Sequence, residues 1–274
     1  MAINKVVIRL KGGLGNQLFI YAFGLSFSKK TNIEVCYDMF SGFIINDFKH
    51  LQTTKSLMKK YFKFISNISF WHHPLFYLLR KLRSKKFLNS TYLLGEFENL
   101  KSLEEKIIKE KGLFFIEGYF QNYQYIKDVI PEIKRTIKLK NLGVYQNLIR
   151  SNNSIAIHIR VNDYGVEFPQ DYYEKAYLLI SEKFKNYSLY IFSDNFSWCS
   201  ENLNFFNRCK VVNSGDDEID FHLMSLCNHH VITIGTFGWW AAILNNNENG
   251  IVVAPIVNYN FYNEKYYPDS WILI

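Results

Sequence analysis

The sequence predicts an α/β protein built from two Rossmann-like halves with a cleft between them. Three observations carry this. Short β-branched runs alternate with helical patterns along both halves, the mark of parallel sheets. The first such run enters a glycine-rich turn, KGGLGNQ, ahead of a helix. A polar, asparagine-rich stretch at about Lys138–Ser154 separates two series of alternating elements. The halves are accordingly set at residues 1–150 and 151–274, each near the ~100–150 residues of a usual domain.

The elements read in order as follows. Lys5–Leu10 (KVVIRL) is a strand, Leu18–Lys30 a helix with one apolar face, and Ile33–Asp38 (IEVCYD) a second strand. This opening is a βαβ unit. A basic segment, 49–95, follows as a helical insert, in which Phe70–Leu82 mixes aromatics with cations. Glu104–Lys111 reads as a charged helix and Leu113–Tyr119 as a strand. In the second half, Ser154–Ile159, Ser188–Phe192, Lys210–Val212, His230–Ile234 and Gly250–Ala254 are strands. Helices at Tyr172–Phe184, Ile219–Cys227 and Phe237–Leu244 alternate with them.

Composition narrows the class. The chain is 48% hydrophobic and 21% charged, with 14 glycines and 5 prolines, which excludes long disordered tracts. Net charge is +7, yet ten lysines and arginines fall between Phe48 and Gly95, where no acid occurs. Without them the remainder is at −3, so the basicity is a local patch suited to an anionic partner. The four cysteines show no CxxC pair and read as reduced thiols. No signal peptide and no window of ~18–20 apolar residues is visible. A cytoplasmic protein is expected, peripheral at the inner membrane if the patch meets anionic lipid.

Four segments are placed to carry chemistry. In KGGLGNQLF, glycines between strand and helix let backbone amides approach a phosphate. Gly13, Gly15, Asn16 and Gln17 are the residues concerned, although Leu18 stands where a dinucleotide fingerprint needs its third glycine. In SIAIHIRVNDY an apolar strand ends in His158, Arg160 and Asp163. Ligands of open α/β sheets lie beyond the carboxyl ends of strands, and arginine offers a diphosphate a permanently charged planar fork. A structural Arg–Asp pair is the alternative. In TIGTFGWWAAIL the free amides of Thr236, Phe237 and Gly238 can take phosphate oxygens at a helix start. Trp239 and Trp240 read as packing. In EIDFHLMSLC, Asp220 is either a helix-start carboxylate or a partner for a guanine edge.

No metal is expected. Asp216–Asp217–Glu218 lacks the Asp-x-Asp pattern of a metal-dependent transferase, and His72–His73 and His229–His230 are adjacent pairs poorly spaced for one ion. No P-loop and no nucleophile elbow occurs. A nucleic-acid module would carry an RNP, KH or helix-turn-helix signal, and none is present.

Taken together and in order, GGLGNQLF–YAFG, GYFQNYQYI, HIRVNDY, YIFSDNFSWC–ENL and DFHLMSLCNHHVI–TFGWW resemble the bacterial α-1,2-fucosyltransferases of glycosyltransferase family 11. The resemblance runs from Val6 to about Asn245. It implies a GT-B-type fold, an acceptor-side first half and a donor-binding second half. It further implies inverting, metal-independent transfer from GDP-L-fucose to a galactoside 2-hydroxyl. On this resemblance Arg160 grips the β-phosphate, His158 and Asp220 contact guanine, and Thr236–Gly238 hold the diphosphate. Gly13–Gln17 would lie near donor and acceptor, and Asp163 and Glu167 are the nearest carboxylates for a base. Val161 replaces the usual second arginine and Asn162 the usual glycine. These departures leave another GDP-linked 6-deoxy sugar, such as colitose, as an alternative donor. The expected acceptor is a lipid-linked oligosaccharide, reached through anionic lipid bound at 55–86.

Overall fold

A computed structural model describes residues 5–38, 91–95, 100–110, 112–137, 149, 153–161, 170–184, 186–256 and 266–274. The helical reading of Phe70–Leu82, most of the 138–154 stretch, and Asp163 and Glu167 lie outside them. The chain divides into two compact units, Met1–Lys138 and Leu139–Ile274. Elements are numbered below over the described residues.

The first unit holds β1 (Lys5–Arg9), α1 (Leu14–Thr31), β2 (Glu34–Asp38), β3 (Thr91–Gly95), α2 (Leu100–Lys109), β4 (Leu113–Glu117), α3 (Tyr123–Ile126) and α4 (Ile130–Thr136). Its sheet has the order β2-β1-β4-β3, with all pairs parallel. Thr91–Gly95 is therefore a strand, not part of a helical insert. Its TYLL core is β-branched, aromatic and uncharged, which suits a pleated surface.

Helix α1 begins four residues earlier than its apolar pattern predicts. Gly12 makes the turn with φ of +76°, and Gly13 caps the helix in extended backbone. Gly15, Asn16 and Gln17 thus belong to the first helical turn rather than to a loop. The helix is also buried around most of its circumference, through Leu18, Phe19, Ile20, Ala22, Phe23 and Phe27, and not on one face. A helix packed on several sides shows no clean amphipathic stripe. Asn32, in the left-handed region at φ 56°, closes it by donating its N–H to Ser28 O.

The second unit holds β5 (Asn153–Ile159), α5 (Gln170–Ser181), β6 (Tyr187–Ser193), α6 (Phe196–Asn202), β7 (Cys209–Val211), α7 (Asp217–Leu226), β8 (His229–Val231), α8 (Thr236–Leu244), β9 (Val252–Ala254) and β10 (Ile272–Leu273). Its six strands run in the order β10-β9-β8-β5-β6-β7, all parallel. Alternation along β5 sends Ile155, Ile157 and Ile159 to one face, against Tyr173, Ala176, Tyr177 and Ile180 of α5. Burying each such large apolar side chain contributes ~1.5–3 kcal/mol. Trp239 and Trp240 are fully buried, and the indole N–H of Trp239 donates to Tyr266 O at 3.1 Å. The strand expected at His230–Ile234 is only His229–Val231, because the chain leaves the sheet to start α8.

Candidate functional site

The carboxyl end of β5 and the amino end of α8 meet in the second unit. His158, the penultimate residue of β5, is 5% exposed and points away from the isoleucine face. Its ring stacks on Phe237 at 5.7 Å between centroids. A Cβ built on Gly238 would lie 2.6 Å from His158 Nδ1, so only glycine lets the helix start approach the strand this closely. Phe237 is braced from behind by Phe221 of α7, edge-on at 5.1 Å. The sequence-predicted residues His158, Phe237 and Gly238 are thus in mutual contact, with Arg160 and Thr236 adjacent along the chain.

Burial holds His158 neutral. Desolvation, helped by the Arg160 guanidinium, lowers its pKa to about 3. Its Nδ1 is buried and has no hydrogen-bond partner, and the same holds for the Thr233 hydroxyl on the run from β8 into α8. Buried polar atoms are rarely left unpaired in native proteins, and those that are tend to mark a ligand site or a store of strain.

Arg160 leaves β5 toward the next strand. Its Nε lies 3.3 Å from the Asp194 carboxylate, just past β6, and the other Asp194 oxygen accepts the Val161 N–H at 3.0 Å. One carboxylate therefore fixes both the direction of the guanidinium and the backbone beside it. Asp194 is a site residue that the sequence reading passed over. Its signal was the one used for His158 and Arg160, a polar residue directly after an apolar strand, here SLYIFS.

Helix α8 starts at Gly235, which sits at φ 139°, a region favouring glycine. The amides of Thr236, Phe237 and Gly238 have no carbonyl one turn back, and the helix dipole adds partial positive charge there. The guanidinium after β5 and the helix start after β8 are each suited to an anion at the carboxyl edge of the sheet.

Asp220 stands in the first turn of α7, directly before Phe221, which packs on Phe237. The N-cap of α7 is Asp216, whose carboxylate accepts from the amides of Glu218 and Ile219. Asp220, one turn further on, accepts the Ser214 N–H at 3.1 Å and so pins the loop before the helix. Burial raises its pKa, with the Ser214 contacts acting in the opposite direction.

In the first unit, the glycine-rich segment is tied together internally. The Gln17 amide, 1% exposed, donates to Gly12 O at 2.7 Å and closes the turn. Asn16 Oδ1 accepts from Gln121 Nε2 at 2.7 Å, linking α1 to the segment after β4. Buried Arg9 pairs with Glu117 at 2.5 Å, and Lys11 reaches the same carboxylate at 3.5 Å.

The fold is the GT-B fold of fucosyltransferase structures, although sequence identity to them is low. A mutant of Arabidopsis thaliana FUT1 in complex with GDP superposes with a TM-score of 0.52 at 13% identity, covering 93% of this chain and 71% of that one. The fucosyltransferase NodZ from Bradyrhizobium gives 0.51 at 12% identity, covering 89% and 94%. The chain is a glycosyltransferase, and it belongs to family 11: the model "Glycosyl transferase family 11" matches residues 5–274. Among its relatives is an Escherichia coli "Alpha-1,2-colitosyltransferase", 29% identical over 91% of both chains. A second is the Escherichia coli "O-antigen biosynthesis glycosyltransferase WbnK", 29% identical over 96% of this chain and 98% of that one. The pig "Galactoside alpha-(1,2)-fucosyltransferase 2" is 30% identical over 48% of this chain and 46% of its own. These relationships place the chain among enzymes rather than nucleic-acid-binding modules.

Proposed function

We propose that this chain transfers L-fucose, with inversion and without a metal ion, from GDP-L-fucose to the 2-hydroxyl of a galactoside in a cell-surface oligosaccharide precursor such as O-antigen. The reading is carried by Arg160, held by Asp194 at the carboxyl end of β5, the strand whose His158 packs on the α8 amino end. In a single displacement the acceptor oxygen attacks the anomeric carbon while the bond to the β-phosphate breaks. Negative charge grows on the departing diphosphate. Arg160 and the amides of Thr236–Gly238 stabilise that charge more in the transition state than in the bound donor, which is what raises turnover. His158, neutral, adds no charge and contacts the base instead. Asp163 and Glu167 are the proposed bases.

A second donor is favoured by two observations. The relative covering 91% of the chain at 29% identity is named a colitosyltransferase, and Val161 stands where the resemblance expects a second arginine. GDP-colitose is therefore the competing donor. Thermal-shift measurements with GDP, UDP, dTDP and NAD come first, followed by GDP release from GDP-fucose and GDP-colitose over a panel of galactosides. Stabilisation by GDP alone, with acceptor-dependent release from GDP-fucose, supports the proposal. Turnover confined to GDP-colitose transfers the assignment, and stabilisation by UDP but not GDP overturns it.

The acceptor is proposed to be lipid-linked and to be met at the inner face of the membrane. No helix among the described residues is long and apolar enough to cross a membrane. Lysines and arginines in 55–86, outside the described residues, would contribute ~1 kcal/mol each at an anionic surface. Liposome binding that is unchanged when those residues are neutralised rules this out.

A further inference from the structure

Strand β8 ends where the chain turns toward α8, and a side chain from another element holds that end. Pairing with β9 is parallel, with His230 opposite Val252 and Val231 opposite Val253. In that register the His230 N–H donates to Ile251 O at 2.9 Å, and the Ile232 N–H to Val253 O at 3.0 Å. The next rung of a parallel ladder would have the Ile232 carbonyl accept from the N–H of residue 255. That residue is Pro255, which has no N–H to give. Tyr172 supplies the donor instead. Its hydroxyl donates to Ile232 O at 2.5 Å, with both residues buried.

Tyr172 stands in the first turn of α5, the helix that follows β5 and Arg160 along the chain. Burial pushes its pKa well above the usual tyrosine range, so the hydroxyl stays protonated and remains a donor. In the order β10-β9-β8-β5-β6-β7, the first strand of the unit lies beside the fourth, and there the winding of the sheet reverses. The Tyr172 bond therefore joins the start of α5 to the end of β8 across this switch point. Only Thr233, Ile234 and Gly235 separate Ile232 from Thr236, the first residue of α8. The body of α8 is anchored separately, through the Trp239 indole N–H on Tyr266 O. The Ile232 carbonyl is the anchor on the strand side of the turn.

We infer that Tyr172 is a positioning residue for the transfer reaction. By holding the Ile232 carbonyl in place of the absent proline N–H, it sets where the amides of Thr236–Gly238 stand against the donor's β-phosphate. The inference rests on the diphosphate reading of the α8 amino end, and adds to it a residue that acts through the backbone.

Calorimetric binding of GDP and GMP to the full chain tests it, because only GDP carries the β-phosphate. The ratio of the two affinities reports Arg160 and the α8 amino end, whereas GMP reports the rest of the site. Tyr172→Phe, which keeps the ring and removes the hydroxyl, is expected to cut that ratio at least about five-fold and to leave GMP affinity within two-fold. Pro255→Ala restores an N–H in register, so the double variant Tyr172→Phe/Pro255→Ala is expected to return the ratio to within two-fold of the wild type. The double variant also keeps the carbonyl paired, and so decides the matter if Tyr172→Phe alone does not fold. An unchanged ratio in Tyr172→Phe overturns the inference, as does an equal loss for both nucleotides, or a folded double variant whose ratio stays low. A wild type that binds GMP as tightly as GDP overturns the diphosphate reading itself, and the inference with it.

Discussion

The Asp194 carboxylate bridges Arg160 and Val161, taking the guanidinium Nε at 3.3 Å through one oxygen and the Val161 N–H at 3.0 Å through the other. The side chains are 31% and 19% exposed, so the ion pair itself adds little stability, ~0–1 kcal/mol. Its value is orientation. Asp194→Ala is therefore expected to shift unfolding by no more than about 1 kcal/mol while lowering kcat roughly ten-fold or more, since misaimed groups forfeit large positional factors. Asp194→Asn, which keeps the Val161 contact, recovers part of the loss. Paired urea melts and initial-rate assays separate the two effects.

Gly238→Ala tests the contact between β5 and the start of α8. A methyl group 2.6 Å from the His158 ring has nowhere to go, because Phe221 and Phe237 back the site. Overpacking of this kind costs ~1–3 kcal/mol. A lowered melting midpoint together with weakened GDP binding is expected in calorimetry, and an unchanged midpoint contradicts the close approach.

The pH dependence of stability follows from His158. Its folded pKa, about 3, lies below the ~6.5 of a free histidine, so the unfolded chain binds a proton that the folded chain does not. The stability this reflects is full above ~6.5 and is lost as pH falls toward the folded value. His230, lowered by burial to about 4, acts with the same sign. Urea midpoints taken from pH 7.5 down to pH 5 should fall, and fall less in His158→Gln. Equal slopes in the two proteins rule out a neutral buried His158.

Gln17 separates a structural role from a substrate role. Its amide is 1% exposed and bonded to Gly12 O. Gln17→Leu leaves that carbonyl unpaired, at a cost of ~1–3 kcal/mol. Thermal melts should show the loss while the donor KM stays within two-fold, and a changed donor KM with an unchanged melt would assign the residue to substrate.

Much of this molecule is legible in its residues. The β5 strand shows in SIAIHI because a central parallel strand is apolar on both faces, and the polar burst after it locates the carboxyl edge. The α8 start shows in TIGTFG because small residues permit a tight strand-to-helix turn. Other features are tertiary and leave no local trace. Phe120, left-handed at φ 52°, stacks on Phe23, nearly a hundred residues earlier, and the Asp194 bridge depends on β6 lying beside β5. Thr91–Gly95 was hidden by the basic run before it, because charge counting says nothing about strand pairing. Asp220 reads as a helix-start carboxylate and does stand in the first turn of α7, while the cap itself is Asp216, one turn earlier.

The most direct measurement of the central claim is GDP release by Arg160→Ala from GDP-fucose with a galactoside acceptor, beside a circular-dichroism melt of the same sample. The account predicts a fall in kcat/KM of ~10²–10³-fold, the scale on which a transition-state charge partner acts, with the melt unchanged. Turnover equal to that of the wild type by a folded Arg160→Ala protein contradicts it.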